Sequence, residues 1–279
     1  MTIKILRRVV GALPTYLLML VVTAIFLVPF LWILSTAFKA GMTQLYTVPP
    51  EFIPRPATLE NFARINSIMP FWRYTFNTAF VSVVTVGLQL AVCAPAAYAL
   101  GRIRFKGRTL MFYTFLATMM IPFNAILISL FILCKRLNLT DNFAGVILPW
   151  AVDAFTIFLL RQSFASIPKD LEDAARIDGC GHWRIFWSIM LPLVKPSLAT
   201  AAILTFTWQW NDFLWPLVVL RSKNLWTLQV GVAAISGLRG ESWQQISATS
   251  VMAMLPLMII FLVLQRYFIS GALSGAVKG

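Results

Sequence analysis

Arg161–Pro196, RQSFASIPKDLEDAARIDGCGHWRIFWSIMLPLVKP, is the longest break between strongly apolar runs in the second half of the chain. Ser166, Ile167 and Pro168 predict a helix N-cap and first turn. Asp170, Glu172 and Asp173 crowd the turns that follow, where acids suit the positive end of the helix dipole. Ala174 and Ala175 are small and helix-favouring, and would let a partner approach the backbone closely. Gly179 stands where a C-terminal cap is expected. Beyond it Trp183, Phe186, Trp187 and Met190 recur at spacings of three and four, and Pro192 is expected to close this second helix. The pattern predicts two short helices meeting at a glycine elbow between two membrane segments. Taken alone, it also fits an amphipathic interfacial hairpin that docks nothing.

The surrounding composition makes membrane segments the natural reading. Of 279 residues, 59% are hydrophobic and 12% charged, whereas about a quarter are charged in a soluble domain. Apolar runs of about 20 residues then read as transmembrane helices. The net charge is +13, but the basic residues flank apolar runs instead of forming one face. That is a membrane-orientation signal and not a nucleic-acid surface. Cys93, Cys134 and Cys180 have neither metal-like nor disulfide-like spacing, and the single histidine, His182, reads as a helix-start residue. There is no phosphate-binding glycine loop of the GxxxxGK[ST] kind, and no paired-carboxylate or Cys/His arrangement for catalysis. The chain is expected to bind no cofactor, so its energy source must lie on another chain.

Six spans are predicted, at about 13–37, 72–100, 110–134, 143–164, 197–220 and 248–268, with the organising loop over 166–196. The first apolar run is too long for a signal-peptide core and lacks a clean cleavage site. Phe38–Pro70 holds Pro49, Pro50, Pro54, Pro56 and Pro70 around a short helix at Thr58–Phe62, and reads as a segment lying over the outer surface. Arg102, Arg104, Lys106 and Arg108 form a compact basic loop without acids, which places that loop in the cytoplasm. The expected fold is therefore an all-α integral membrane protein: one transmembrane domain over 1–279, with both termini and the organising loop cytoplasmic.

Polar groups inside a bilayer are costly and mark function by default. The richest cluster is Thr207-Trp208-Gln209-Trp210-Asn211-Asp212-Phe213-Leu214-Trp215-Pro216. On a continuous helix, Gln209 and Asp212 share one face, and Trp208, Asp212 and Trp215 a neighbouring one. Carboxylate, amide and indole together suit a sugar, whose hydroxyls take directional hydrogen bonds and whose C–H face stacks on an aromatic ring. The same groups also suit interhelical hydrogen bonding. Asp153 in the fourth span, and Asn124 just after the helix-breaking Pro122, either line a pathway or serve structure. The closing stretch Ser270–Gly279 is made of small residues and is expected to be flexible.

Several of these strings carry a family resemblance. Asp173-Ala174-Ala175, Gly179, Ile189, Leu191 and Pro192 resemble the coupling-loop signature of ABC-importer permeases. The wider LEDAARIDG…LPL, TLENF near residue 60 and WNDFLWPLV in the fifth span resemble the carbohydrate-uptake, maltose-type branch. The resemblance implies a cytoplasmic coupling helix that docks into a groove of an ATPase, with Glu172, Asp173, Ala174, Ala175, Asp178 and Gly179 as the coupling residues. Where the family usually has Glu, this chain has Asp173, one methylene shorter, preceded by Glu172. The resemblance points to Gln209, Asn211 and Asp212 as lining a sugar pathway. LQRYFISGALSGAVKG resembles a permease terminus that reaches into the ATPase dimer interface, which would place Gly275, Lys278 and Gly279 there.

The family thus implies a permease in the cytoplasmic (inner) membrane, paired as a heterodimer with a second permease. An ATPase dimer carries ATP and Mg, an external solute-binding protein delivers a sugar or sugar-like polyol, and lipid surrounds the spans. Transport is by alternating access, with no catalysis on this chain and no nucleic acid. Two other classes stand beside it. A proton-coupled transporter using Asp153 and Asp212 predicts internal repeats, and none is visible. A membrane-embedded glycosyltransferase predicts an acid cluster at a membrane face, but the acid cluster here lies in the coupling loop.

Overall fold

The computed structural model describes residues 2–40, 51–236 and 243–276, and within them the chain is helical. In order the helices are α1 Thr2–Ala37, α2 Glu60–Ile68, α3 Phe71–Arg102, α4 Arg108–Thr118, α5 Phe123–Arg136, α6 Phe143–Ile147 and α7 Ala154–Ser166. Then come α8 Asp170–Ile177, α9 His182–Ile185, α10 Leu191–Leu193, α11 Lys195–Asn211, α12 Leu214–Val219, α13 Leu228–Ser236 and α14 Trp243–Ala276. They fall into two compact units, 1–70 with 232–255 and 71–231 with 256–279.

In the first unit α1 is apolar nearly all round, and Tyr16–Leu31 leaves its large side chains exposed, as a lipid-facing helix does. The end of α1 is tied down by α2: Asn61 Nδ2 donates to the carbonyls of Ala37 at 2.9 Å and Lys39 at 3.0 Å. This satisfies carbonyls that a helix end leaves without partners. Phe38 packs on Phe62 with ring centroids 5.0 Å apart, and Lys39 makes an isolated antiparallel bridge with Ala57. The short helix expected at Thr58–Phe62 therefore exists but runs on to Ile68, with Thr58 Oγ1 accepting from the Glu60 amide at 3.1 Å.

The second unit is built on α3, which packs along α7 and α11. Gly101 lets α3 and α7 approach: a Cβ there would lie 3.3 Å from the Arg161 carbonyl oxygen. Cys93, Ala97, Tyr98, Leu160, Phe164, Phe186 and Met190 fill the core at this end. A separate cluster joins α5, α6 and α12 around Trp215, whose Nε1 donates to Gly145 O at 3.0 Å. At its start α3 is anchored by polar groups. Asn77 Nδ2 donates to the carbonyls of Asn224 and Trp226, at 3.0 and 2.9 Å, and Thr78 Oγ1 accepts from the Leu228 amide at 2.7 Å.

Three described helices are long and apolar enough to cross a membrane as they stand: Pro14–Ala37, Phe71–Arg102 and Trp243–Val263. Three bent pairs make up to six, namely 108–118 with 123–136 at 100°, 143–150 with 154–166 at 43°, and 182–193 with 195–211 at 77°. The first bend falls at Pro122, which lacks an amide proton and biases the preceding residue away from helix. The expected fifth span, 197–220, is cut short. α11 stops at Asn211, Asp212 is extended (ψ 120°), and α12 restarts at Leu214. Between the expected fifth and sixth spans, residues 221–247 contain the helix α13. The expected flexible tail is instead helical through Ala276.

The loop before α6 is held by Asp141. Its Oδ2 accepts from Ser222 Oγ at 2.6 Å, and its Oδ1 from the amides of Ser222 and Arg221 at 2.8 and 2.9 Å. The Ser222 hydroxyl and amide, then the Arg221 amide, hold this carboxyl below its ordinary value of 3.8. A folded-state pKa below the unfolded one contributes stability above the unfolded pKa, and that stability is lost as pH falls through the folded value. Asp141→Ala is therefore expected to lower the melting temperature in detergent at neutral pH. Its deficit against wild type should shrink below about pH 4; a deficit independent of pH would refute the role of the charge.

Candidate functional site

Pro168 pushes Ile167 into an extended conformation (φ −71°, ψ 134°), so α7 ends at Ser166. Ser166 is therefore not the N-cap that the sequence predicts; its Oγ donates back to the Ser163 carbonyl at 2.9 Å. α8 begins at Asp170 after Lys169, without a side-chain cap, and its first-turn acids Asp170, Glu172 and Asp173 meet the dipole instead. It ends in a Schellman motif: the Gly179 amide donates to Arg176 O at 3.0 Å and the Cys180 amide to Ala175 O at 2.9 Å. Gly179 has φ +79°, the left-handed conformation this motif requires. The elbow is thus formed as its sequence predicts.

α8 has two unlike faces. Glu172 and Ala175 are buried, while Leu171, Asp173, Ala174, Ile177 and Asp178 are exposed. Glu172 Oε1 accepts from Arg102 Nε at 2.8 Å, with both side chains less than a tenth exposed. Glu172 therefore cannot stand in as an exposed acid for the shorter Asp173; it faces the interior. Past the elbow the helix does not close at Pro192. α9 runs through a π-helical turn at Phe186–Met190 into α10, and the bend comes at Val194. Phe186 and Met190 are buried, whereas Trp183 and Trp187 are exposed.

Of the candidate pathway residues, Gln209 is buried with its Oε1 unpaired. Asp212 receives the Trp215 amide at 3.3 Å and has its Oδ2 buried and unpaired. The two do not share a helical face, because the helix ends between them at Asn211. Asn211 is exposed, with its Nδ2 donating to Thr207 O at 2.8 Å. Trp215 is wholly buried and cannot stack on a sugar, whereas Trp208 is 77% exposed. Asp153 is the N-cap of α7, its Oδ2 accepting from the Thr156 amide at 2.7 Å. Asn124 is exposed in the first turn of α5. Gly275 lies in α14, and Lys278 and Gly279 are outside the described residues.

Sequence reasoning missed a polar row on α3. Ser82, Thr85 and Gln89 are all buried; the first two hydroxyls are unpaired, and Gln89 Nε2 donates to Thr156 Oγ1 at 2.8 Å. The signal was present as polar residues three and four apart within an apolar run. Among the described residues no three His, Cys, Asp or Glu side chains gather as a metal site would require.

Helices long and apolar enough to cross a membrane, with amides and hydroxyls buried between them, make this an integral membrane component. The chain belongs to the family of binding-protein-dependent transport system inner membrane components, which it matches over residues 93–273, from mid-α3 to near the end of α14. It is 43% identical over 229 residues to the arabinooligosaccharides transport system permease protein AraQ of Halalkalibacterium halodurans, covering 82% of each chain. It is 32% identical to the sn-glycerol-3-phosphate transport system permease protein UgpE of Yersinia enterocolitica, covering 91% of this chain and 93% of that one. In structure it resembles a chain of a bacterial ABC transporter involved in the import of the acidic polysaccharide alginate. There the TM-score is 0.84 at 30% identity, over 94% of this chain and 97% of that one. The chain is accordingly an inner-membrane permease component of a binding-protein-dependent importer.

Proposed function

We propose that this permease imports a sugar or sugar-like polyol as half of a heterodimer with a second permease. It spans the membrane six times as one domain with both termini cytoplasmic, lipid around it and α8 on the cytoplasmic face. An ATPase dimer holds ATP and Mg and receives α8 in a groove, and an external binding protein delivers the solute. The observation that carries this reading is the elbow, which presents Asp173, Ala174, Ile177 and Asp178 outward on one short helix. The resemblance of the closing stretch to a permease terminus supports Gly275, Lys278 and Gly279 as ATPase-contacting residues, the last two lying outside the described residues. Gln209 and Asp212, with unpaired buried oxygens beside the break after Asn211, and the exposed Asn211 and Asn124 are the groups offered to solute. Asp153 is occupied as the N-cap of α7, which favours a structural role for it. The relatives named above, for arabinooligosaccharides, glycerol-3-phosphate and alginate, support a hydroxyl-rich substrate.

The test is co-expression with a second permease and an ATPase, then uptake of labelled arabinotriose, glycerol-3-phosphate and alginate trisaccharide into proteoliposomes supplied with the solute-binding protein on the outside. ATPase co-purification with ATP-dependent uptake is expected; uptake by the chain alone would overturn the reading. Asp212→Asn should reduce uptake about tenfold with assembly intact, since a hydrogen bond to a charged group contributes about 1.5–3 kcal/mol. Loss of assembly would instead assign Asp212 to interhelical bonding.

A further inference from the structure

We infer that Arg102 is a positioning residue for transport: it latches α8 to the α3–α7 pair, so that a push on α8 moves that pair as one body. This rests on the importer reading above. α8 has only eight residues, too few to be stable alone. Its covalent tie to α7 is the short extended link through Ile167 and Pro168. Arg102, the last residue of α3, spans that gap. Its Nε donates to Glu172 at 2.8 Å, its Nη1 to Ile167 O at 2.7 Å and Phe164 O at 3.4 Å, and its Nη2 to Pro168 O at 3.4 Å. One guanidinium thus holds the end of α7, the link and α8 together, which a lysine ammonium with its point charge could not reproduce.

The arrangement is reciprocal. Arg161 on α7 donates from Nε to Leu100 O at the end of α3, at 3.2 Å, while its guanidinium stacks 3.9 Å over Phe112. Further along, Gln89 to Thr156 at 2.8 Å and the Asp153 amide to Cys93 Sγ at 3.5 Å join the same two helices. A displacement of α8 therefore reaches the buried polar row of α3 through Glu172 and Arg102. Arg104 and Lys106, neighbours in the same basic loop, are exposed and take no part.

The test places spin labels at Arg104→Cys and Arg176→Cys with Cys180→Ser, in the complex with its second permease and ATPase. Arg176 lies on the flank of α8 away from Ala174 and Ile177, and the buried Cys93 and Cys134 escape labelling. With the latch intact, one narrow distance distribution is expected, unchanged between nucleotide-free and vanadate-trapped Mg·ATP states. Arg102→Met/Glu172→Leu removes both charges without orphaning either, so folding is retained. It should widen the distribution roughly twofold and make it shift on trapping, with the ATPase still bound. Glu172→Gln, which preserves shape, should widen it less. A wild-type shift on trapping would overturn the latch, as would variants as narrow and fixed as wild type. Loss of the ATPase in the variants would do the same, by making Glu172 a docking residue. A wild-type complex that never retains ATPase sinks the importer reading instead, and the nucleotide-free widths still decide the latch.

Discussion

Gly179→Val is expected to strip the permease of its ATPase. At φ +79° the elbow residue sits where a β-branched side chain is a steric outlier, at a cost of about 1–3 kcal/mol. Apart from its own chain neighbours, no atom lies within 4 Å of where its Cβ would stand, so the effect comes from the local backbone and not from a tertiary clash. The strain is relieved by opening the Schellman turn, which frees the carbonyls of Ala175 and Arg176 and re-aims α8 against α9. α8, turned away, loses the ATPase groove proposed above, while the packing of α3 along α7 and α11 keeps the bundle folded. Co-purified ATPase should fall by about tenfold or more, with permease in the membrane near its wild-type level. Gly179→Asn, tolerated in the left-handed region, should retain most of the ATPase. Equal loss in both variants would show that the elbow's conformation is not what docking needs.

Trp215→Ala is expected to be the most damaging single substitution to folding. The side chain is completely buried beside Phe123, with ring centroids 6.0 Å apart, and removing it costs about 3–5 kcal/mol. The change also orphans the Gly145 carbonyl, which has little access to water in a bilayer. The backbone is closely packed at Gly145, where an added Cβ would collide with the Leu139 carbonyl. Membrane level and thermal unfolding in detergent are the measurements. Trp208→Ala, at an exposed position seven residues earlier, should leave both near wild type and lower uptake instead. A Trp215→Ala protein as stable as the Trp208→Ala protein would show that the α5–α6–α12 cluster does not hold this end of the unit.

These contrasts mark how much of the site was legible beforehand. The elbow could be read from sequence because its information is local: a helix end that closes on a left-handed residue favours glycine, which adopts that conformation without a Cβ penalty. The proline break at Pro122 could be read for the same reason, a missing amide proton. The pairing of Gln209 with Asp212 on one face could not, since it assumed a helix that stops at Asn211. Ser166 looked like a cap because Ser often is one, yet Pro168 governs the residue before it and shifts the helix start to Asp170.

The sequence by itself determined that the chain is helical and membrane-embedded, and where its glycine elbow falls, because hydrophobic run length and backbone preferences are properties of neighbours along the chain. Only the tertiary structure decided which of two adjacent acids faces inward, Glu172 to Arg102 seventy residues away in sequence, and which of two tryptophans is core. Adjacent residues on a helix differ by a rotation, and what lies on each side of that rotation is set by packing against distant segments.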